Sequence, residues 1–102
     1  MYNKAMLIEY DPVKDQINQE KHGVSLAQAG LLDWFTALIR ADTRFDYCEA
    51  RYQALGLLDM RVHIAAFTLR DDAFRIISLR RANRREERRY EEVRRTENPA
   101  GR

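Results

Sequence analysis

The sequence of 102 residues has few of the features that mark several common classes of protein. A single cysteine, Cys48, cannot form an internal disulfide, which is typical of proteins in a reducing cytoplasm. With only two histidines, His22 and His63, it offers few ligands for a catalytic metal, so we predict no metal site and no cofactor. No apolar run approaches the roughly 18 residues of a membrane span, and the first residues lack the pattern of a secretory signal. We therefore expect a cytoplasmic protein with no membrane association.

Proline and glycine are also scarce, with two and four residues respectively, so the chain has no low-complexity linker. Its length is enough for one hydrophobic core and too short for two. The sequence predicts a single domain over residues 1–95. Residues 96–102 carry Pro and Gly without periodicity, and we expect them to form a flexible tail.

Charge is distributed unevenly along the chain. Residues 1–60 hold six Lys/Arg and nine Asp/Glu, a net charge of −3, whereas residues 61–102 hold twelve Arg and seven Asp/Glu, a net charge of +5. A basic half indicates a nucleic acid or an acidic protein as partner. The alternative is a genome that prefers arginine codons, with most of these side chains simply solvated, and composition alone favours that alternative.

Hydrophobic and turn patterns predict the element order β-α-α-β-β-β-β-α. The predicted strands span residues 5–10, 36–40, 51–57, 60–69 and 74–79, and the predicted helices span residues 12–22, about 25–34, and a segment that starts after Asn83. Links of two to four residues between the last three strands indicate antiparallel neighbours. The sequence therefore predicts an α+β domain with a mostly antiparallel sheet, two N-terminal helices and one C-terminal helix.

Local signals mark the ends of the first helix. Asp11 can accept from free backbone amides, and Pro12 suits the first helical position. Gly23 is a typical left-handed stop. Val13 and Ile17, four residues apart, share one face of this helix and predict its apolar side.

Two further helix starts have the pattern of a capping box. Ser25 precedes Gln28 by three residues, and Asn83 precedes Glu86 by three residues. In the last helix, arginines alternate with glutamates, so most of these charges are expected to pair with one another on a solvated face.

Four segments, in order, carry a recognisable pattern. They are residues 8–14 (IEYDPVK), residues 18–29 with Asn18 and KHGVS, residues 49–56 with EARY and Gly56, and residues 75–82 (RIISLRRA). Together with Glu86 and Tyr90 they resemble the BrnT family of toxins over about residues 7–92. The sequence departs from the family pattern at Tyr10, Leu26, Leu79 and Arg81.

The resemblance implies a RelE-like fold and a toxin of a type II toxin–antitoxin system, an endoribonuclease that cleaves RNA and halts translation. It also implies a BrnA-like antitoxin with a ribbon-helix-helix domain as partner. The complex of toxin and antitoxin would contact operator DNA only through the antitoxin. The alternative is a degenerate, non-catalytic module that only pairs with an antitoxin or contacts nucleic acid.

Cleaving RNA without a metal requires a base for the 2′-hydroxyl, cations for the phosphate and an acid for the leaving oxygen. Arg51 and Arg80 lie in segments that match the family, and we predict that they are catalytic. Glu49 is a candidate base, or it orients Arg51. A regular meander is expected to place Arg51 near Arg80 at one end of the sheet, and Arg70 near Arg75 at the other. Because Arg75 and Arg80 are five residues apart, they are expected to face opposite sides.

Other residues are candidates for RNA binding, namely Arg70, Arg75, Arg81 and His63. Histidine changes its charge near neutral pH, although a histidine on a strand is more often a packed or exposed bystander. His22 lies at a helix end, where a capping role is expected. The sequence leaves the general base unassigned and gives Cys48 no nucleophilic role.

Overall fold

A mixed sheet of five strands lies at the centre of the computed structural model, which describes residues 7–44 and 48–97. The strands are β1 (Leu7–Glu9), β2 (Leu38–Ala41), β3 (Tyr52–Leu58), β4 (Arg61–Arg70) and β5 (Ala73–Arg81), and the α-helices are α1 (Pro12–His22) and α2 (Arg84–Glu97). In space the order is β1-β5-β4-β3-β2. Strands β2 to β5 form an antiparallel meander, and β1 pairs in parallel with β5. The predicted α+β class and element order are confirmed.

The predicted helix signals have the expected geometry. Asp11 accepts a hydrogen bond from the backbone amide of Lys14 at 3.3 Å, and Gly23 ends α1 with φ of 73°. At α2, the Asn83 side chain accepts from the Glu86 amide at 2.8 Å, while the Glu86 carboxylate accepts from the Asn83 amide at 2.9 Å. Helix α2 extends two residues into the segment predicted as a tail, and residues 98–102 lie outside the described residues.

The second predicted helix is wrong in type and length, because this segment is a short 3₁₀ helix (Leu26–Leu31). To continue as an α-helix, the Ala29 carbonyl would accept from the amide of Asp33. That amide instead donates to the carbonyl of Leu57 at 2.8 Å, and the Trp34 indole donates to the Ala29 carbonyl at 2.8 Å. Contacts with β3 and with Trp34 therefore end the helix early.

Each face of the sheet carries its own apolar cluster. On the α1 face, residues of the sheet and of the 3₁₀ helix are buried together, namely Leu26, Ala29, Leu32, Ala54, Leu58, Ala65, Phe67, Ile76 and Leu79. Trp34 meets Phe67 edge-on, with ring centroids 5.3 Å apart. On the α2 face, Tyr90 packs with the buried residues Leu55, Val62 and Ile64.

Asn18 joins α1 to the edge of β5. Because β1 pairs only with residues 73–75 of β5, the rest of this edge has no strand partner among the described residues. The Asn18 amide group donates to the carbonyls of Leu79 and Val24, both at 2.8 Å, and its oxygen accepts from the Leu79 amide at 3.2 Å. Val13 and Ile17, the predicted apolar side of α1, are 65% and 51% exposed. Asn18 is the buried residue of α1.

A β-bulge interrupts the pairing of β4 with β5. Ala66 lies opposite Ser78 and Phe67 lies opposite Ile76, so Ile77 is one residue too many in β5. Side chains beyond the bulge therefore change sides relative to a regular strand. The bulge decides which arginines of β5 share a face.

Candidate functional site

Five arginines lie on the α2 face of the sheet, and one of them is Arg70, which takes this face with Thr68 by strand alternation. Arg40 lies opposite Gln53 on the neighbouring strand and donates to its side chain, at 3.3 Å from both Nε and Nη2. Arg75 and Arg80 follow the same face because of the bulge at Ile77, which corrects the expectation that they face opposite sides. Arg51 precedes β3 and takes this face by strand alternation.

The predicted grouping of Arg51 with Arg80 is wrong. Strands β3 and β5 both run antiparallel to β4, so they run in the same direction and their first residues lie at the same end of the sheet. Arg51 therefore lies in one row with Thr68 and Arg75. Arg80 lies opposite Ile64, four residues away from Thr68 along β4, or about 13 Å at 3.3 Å per residue.

Glu49 and Arg70 belong to the same end of the sheet as Arg51 and Arg75. The Arg70 guanidinium donates to the Glu49 carboxylate at 3.0 Å, and both side chains are about half exposed. We call this group the Arg75 end, defined by Glu49, Arg51, Arg70 and Arg75. Arg75 itself donates to Glu9 of the adjacent strand β1 at 3.0 Å. The structure thus places one candidate base among three candidate phosphate-binding cations.

Arg80 fastens α2 to the sheet. Its guanidinium makes two parallel hydrogen bonds to the Glu86 carboxylate, each 3.0 Å long, and a further one to the Arg81 carbonyl at 3.2 Å. Burial raises the pKa of Glu86. The hydrogen bonds from Arg80 and from the Asn83 amide lower it, as do the positive charges of Arg80 and Arg40. The lowering effects prevail, so the pKa of Glu86 lies below its ordinary value. Glu86 is therefore a firmly ionised group that both caps α2 and holds it against β5.

This arrangement predicts a dependence of stability on pH. A carboxyl group whose pKa is lower in the folded than in the unfolded state stabilises the fold. This contribution is complete at pH values above the pKa of the unfolded state, about 4.3 for Glu, and it is lost as the pH falls through the pKa of the folded state. We expect Glu86→Gln to lower the free energy of unfolding by about 1–2 kcal/mol at pH 7, after allowance for partial exposure, and by much less at pH 2. Urea titrations at the two pH values measure this difference. Glu91→Gln, at an exposed position of the same helix, is the control. An equal loss at both pH values for Glu86→Gln would contradict the assignment.

His63 and Arg81 lie at the opposite end, on the α1 face. They are cross-strand partners in β4 and β5, so the structure brings these two predicted RNA-binding residues together and away from the Arg75 end. His22, at the end of α1, and Arg61 line the same cavity as His63 and Arg81. His22 was expected to cap α1 rather than to transfer protons, and Arg61 was not among the predicted site residues. Residues 61 and 63 are two apart in a strand and therefore share a face of the sheet, and this alternation is the sequence signal for Arg61.

A second cavity, of about 320 Å³, lies between β2 and α2. Its walls combine apolar residues with the side chains of Arg40 and Arg89, and its apolar lining includes Leu38, Leu55 and Val93. Arg40 was not among the predicted site residues, although it lies in the strand predicted over residues 36–40. This cavity is an apolar groove flanked by two cations.

Within residues 7–44 and 48–97, no three His, Cys, Asp or Glu side chains are grouped so that they could hold a metal ion. Over the same part of the chain, no helix has the length and apolar character needed to cross a bilayer. Cys48 is exposed.

Comparisons with known proteins point to one family. A family model described as the ribonuclease toxin BrnT of type II toxin–antitoxin systems matches residues 10–86. The crystal structure of the Brucella abortus ribonuclease toxin BrnT, at 1.1 Å resolution, superposes with a TM-score of 0.62 and 24% sequence identity, covering 78% of this chain and 99% of that chain. No curated protein matches the chain. The likeness to the crystal structure is one of fold, and it supports the α+β architecture described above.

Proposed function

Because the chain belongs to the BrnT family of ribonuclease toxins of type II toxin–antitoxin systems, as its sequence segments predicted, we propose that it is a cytoplasmic, metal-independent endoribonuclease that cleaves RNA and inhibits translation. The observation that carries the proposal is the family match over residues 10–86. The gathering of Glu49 with three arginines at the Arg75 end supports it, since this set supplies a proton acceptor and cations for a phosphate.

The proposed reaction is transesterification within the RNA strand. The 2′-oxygen attacks the neighbouring phosphorus, its proton passes to a base, and the bond from phosphorus to the 5′-oxygen breaks as that oxygen takes up a proton. The products are a 2′,3′-cyclic phosphate and a 5′-hydroxyl end. Negative charge builds on the phosphate in the transition state, so aligned guanidinium donors lower the barrier.

We assign these tasks to residues of the Arg75 end. Arg51 and Arg75 flank Thr68 on the two neighbouring strands, about 10 Å apart by strand spacing. Thr68 itself is buried, and a phosphate at the surface of this row is within reach of both long side chains. Glu49 accepts the proton of the 2′-hydroxyl, and Arg70 holds its carboxylate in place through the 3.0 Å ion pair.

Arg80 retains donors for RNA even while it binds Glu86. A guanidinium has five N–H donors, and three of these are used by Glu86 and the Arg81 carbonyl. The remaining two can donate to a phosphate farther along the strand. In this proposal Arg80 contacts the substrate and also positions α2, while Arg81 and His63 bind the RNA beyond it.

The proposed protein partner is a BrnA-like antitoxin with a ribbon-helix-helix domain, and contact with operator DNA is through that antitoxin. The groove between β2 and α2 suits a segment with apolar side chains and nearby carboxylates, because Arg40 and Arg89 flank its apolar lining. Binding there would cover the cation-bearing face on which the RNA is proposed to lie.

Expression of the chain alone in bacteria tests the proposal. We expect growth arrest, new 5′-hydroxyl RNA ends on sequencing, and cleavage of a purified RNA that persists in EDTA. Co-expression of the cognate antitoxin should restore growth. The ion pairs that occupy Arg70, Arg75 and Arg80 favour the alternative, a module that only pairs with an antitoxin. Antitoxin binding without RNA cleavage or growth arrest would establish that alternative, and cleavage abolished by EDTA would contradict metal independence.

A further inference from the structure

The cavity lined by His63 and Arg81 lies at the opposite end of the sheet from the Arg75 end. Its volume is about 210 Å³, and it is enclosed by the end of α1, the turn between β3 and β4, and the adjoining ends of β4 and β5. We call it the His63 cavity. Its polar and charged lining comprises His22, Gln28, Asp59, Arg61, His63 and Arg81.

The arginines of the His63 cavity differ from those of the Arg75 end in their partners. Arg61 and Arg81 are exposed, and neither forms an ion pair with a carboxylate in the described part of the chain. Asp59 is the one acidic residue in the lining. Two permanent cations therefore face this space together with two histidines, and this is a local excess of positive charge.

The hydrogen bonding of His63 directs one ring nitrogen to the cavity. Nδ1 lies 2.9 Å from the carbonyl oxygen of Arg61, and because a carbonyl only accepts, Nδ1 carries a proton. No described residue forms a hydrogen bond with the other nitrogen, Nε2. The ring is 7% exposed, so its orientation is set by packing before any ligand arrives. Such a preorganised imidazole presents Nε2 to a ligand that enters the cavity.

The turn at the rim of the cavity has an unusual backbone. Asp59 and Met60 join β3 to β4 with φ of 53° and 64°, a left-handed conformation that Asn and Gly adopt most readily. The Met60 side chain is 91% exposed and stabilises nothing by burial. Positive φ at both central residues is the geometry of the favoured two-residue hairpin turn, and this turn closes the side of the cavity that Asp59 lines.

From these observations we propose that the His63 cavity binds a phosphate group of an RNA strand. Arg61 and Arg81 donate hydrogen bonds to the phosphate oxygens, and Nε2 of His63 faces the same group. That the bound phosphate belongs to RNA rests on the proposed function. That the cavity binds a phosphate at all rests only on the residues that line it. Because the cavity is on the α1 face, it is separate from the site proposed for cleavage.

NMR titration of the full chain tests the proposal without requiring cleavage. The probes are a nucleoside 5′-monophosphate and a 2′-deoxy dinucleotide whose single phosphate is the internal diester. The dinucleotide cannot be cleaved by this reaction because it lacks the 2′-hydroxyl. We expect saturable shifts at His22, Arg61, His63 and Arg81 with the dinucleotide. If the monophosphate alone binds, the cavity recognises a strand end and not an internal phosphate.

The matched variants are two double substitutions of equal charge. Replacing Arg61 and Arg81 by glutamine should weaken binding about tenfold or more, since each loses a charge-assisted hydrogen bond. The same replacement of Arg84 and Arg85, exposed on α2, should change it much less. Equal weakening in both, or shifts confined to the Arg75 end, would overturn the proposal. If the dinucleotide binds saturably at the His63 cavity but the protein does not cleave RNA, the phosphate site is supported. Only the assignment of RNA as its ligand is then overturned.

Discussion

Replacing Arg75 by glutamine should slow RNA cleavage by about 10²–10³-fold, the effect expected when one donor aimed at developing negative charge is removed. Arg75 shares a row with Arg51 and Thr68 and faces the same side of the sheet. The loss should appear in the rate of single-turnover cleavage at saturating enzyme, where substrate affinity no longer contributes. Arg51→Gln should have a similar effect.

The ion pair between Arg75 and Glu9 provides a matched control for this prediction. Glu9→Gln removes the negative charge from this 3.0 Å ion pair but keeps the guanidinium, so cleavage should stay within a few-fold of the unmodified protein. Arg88→Gln, at an exposed position on α2, removes one positive charge elsewhere. If Arg75→Gln cleaves as fast as these two variants, the Arg75 end is not the cleavage site.

Asn18→Leu should destabilise the fold by about 2–4 kcal/mol, because it removes three hydrogen bonds and leaves the buried amide and carbonyl of Leu79 without a side-chain partner. At about 4–8 °C per kcal/mol for a domain of this size, the melting temperature should fall by roughly 8–30 °C. Leucine has the same branched arrangement of heavy atoms as asparagine, so the change removes the hydrogen-bonding groups while keeping the shape of the side chain.

Gln16→Leu is the matched substitution for this experiment, since it places the same side chain at an exposed position of α1. It should change the melting temperature by only a degree or two. A small loss of stability in Asn18→Leu, equal to that of Gln16→Leu, would mean that α1 is not held to the edge of β5 by this amide.

Apart from the 3₁₀ helix, the sequence was sufficient to predict the element types and their order, because strand alternation, turn residues and capping residues are local signals. The capping box of Asn83 with Glu86 and the stop at Gly23 have the predicted geometry. The end of the 3₁₀ helix could not be predicted, since it depends on a hydrogen bond from Asp33 to Leu57, two residues far apart in the chain.

The composition of the site was easier to predict than its arrangement. Arg51, Arg70, Arg75 and Glu49 were all singled out, but Arg51 was grouped with Arg80, although two strands that both run antiparallel to β4 begin at the same end of the sheet. The role of Asn18 was also invisible, because a polar residue on a helix shows no partner until the strand edge it meets is known. Register, strand direction and partners distant in sequence are properties of the assembled sheet.

The bulge at Ile77 places residues an odd number of positions apart on the same face of β5. On the α1 face, the buried residues Ile76 and Leu79 are three apart, while on the α2 face Arg75 and Arg80 are five apart. In an uninterrupted strand, residues an odd number apart face opposite sides. Deletion of residue 77 would leave both pairs an even number apart, so an uninterrupted strand one residue shorter would keep the apolar core and the common face of the two arginines. The bulge therefore lets β5 hold one extra residue without moving either set of side chains to the opposite face.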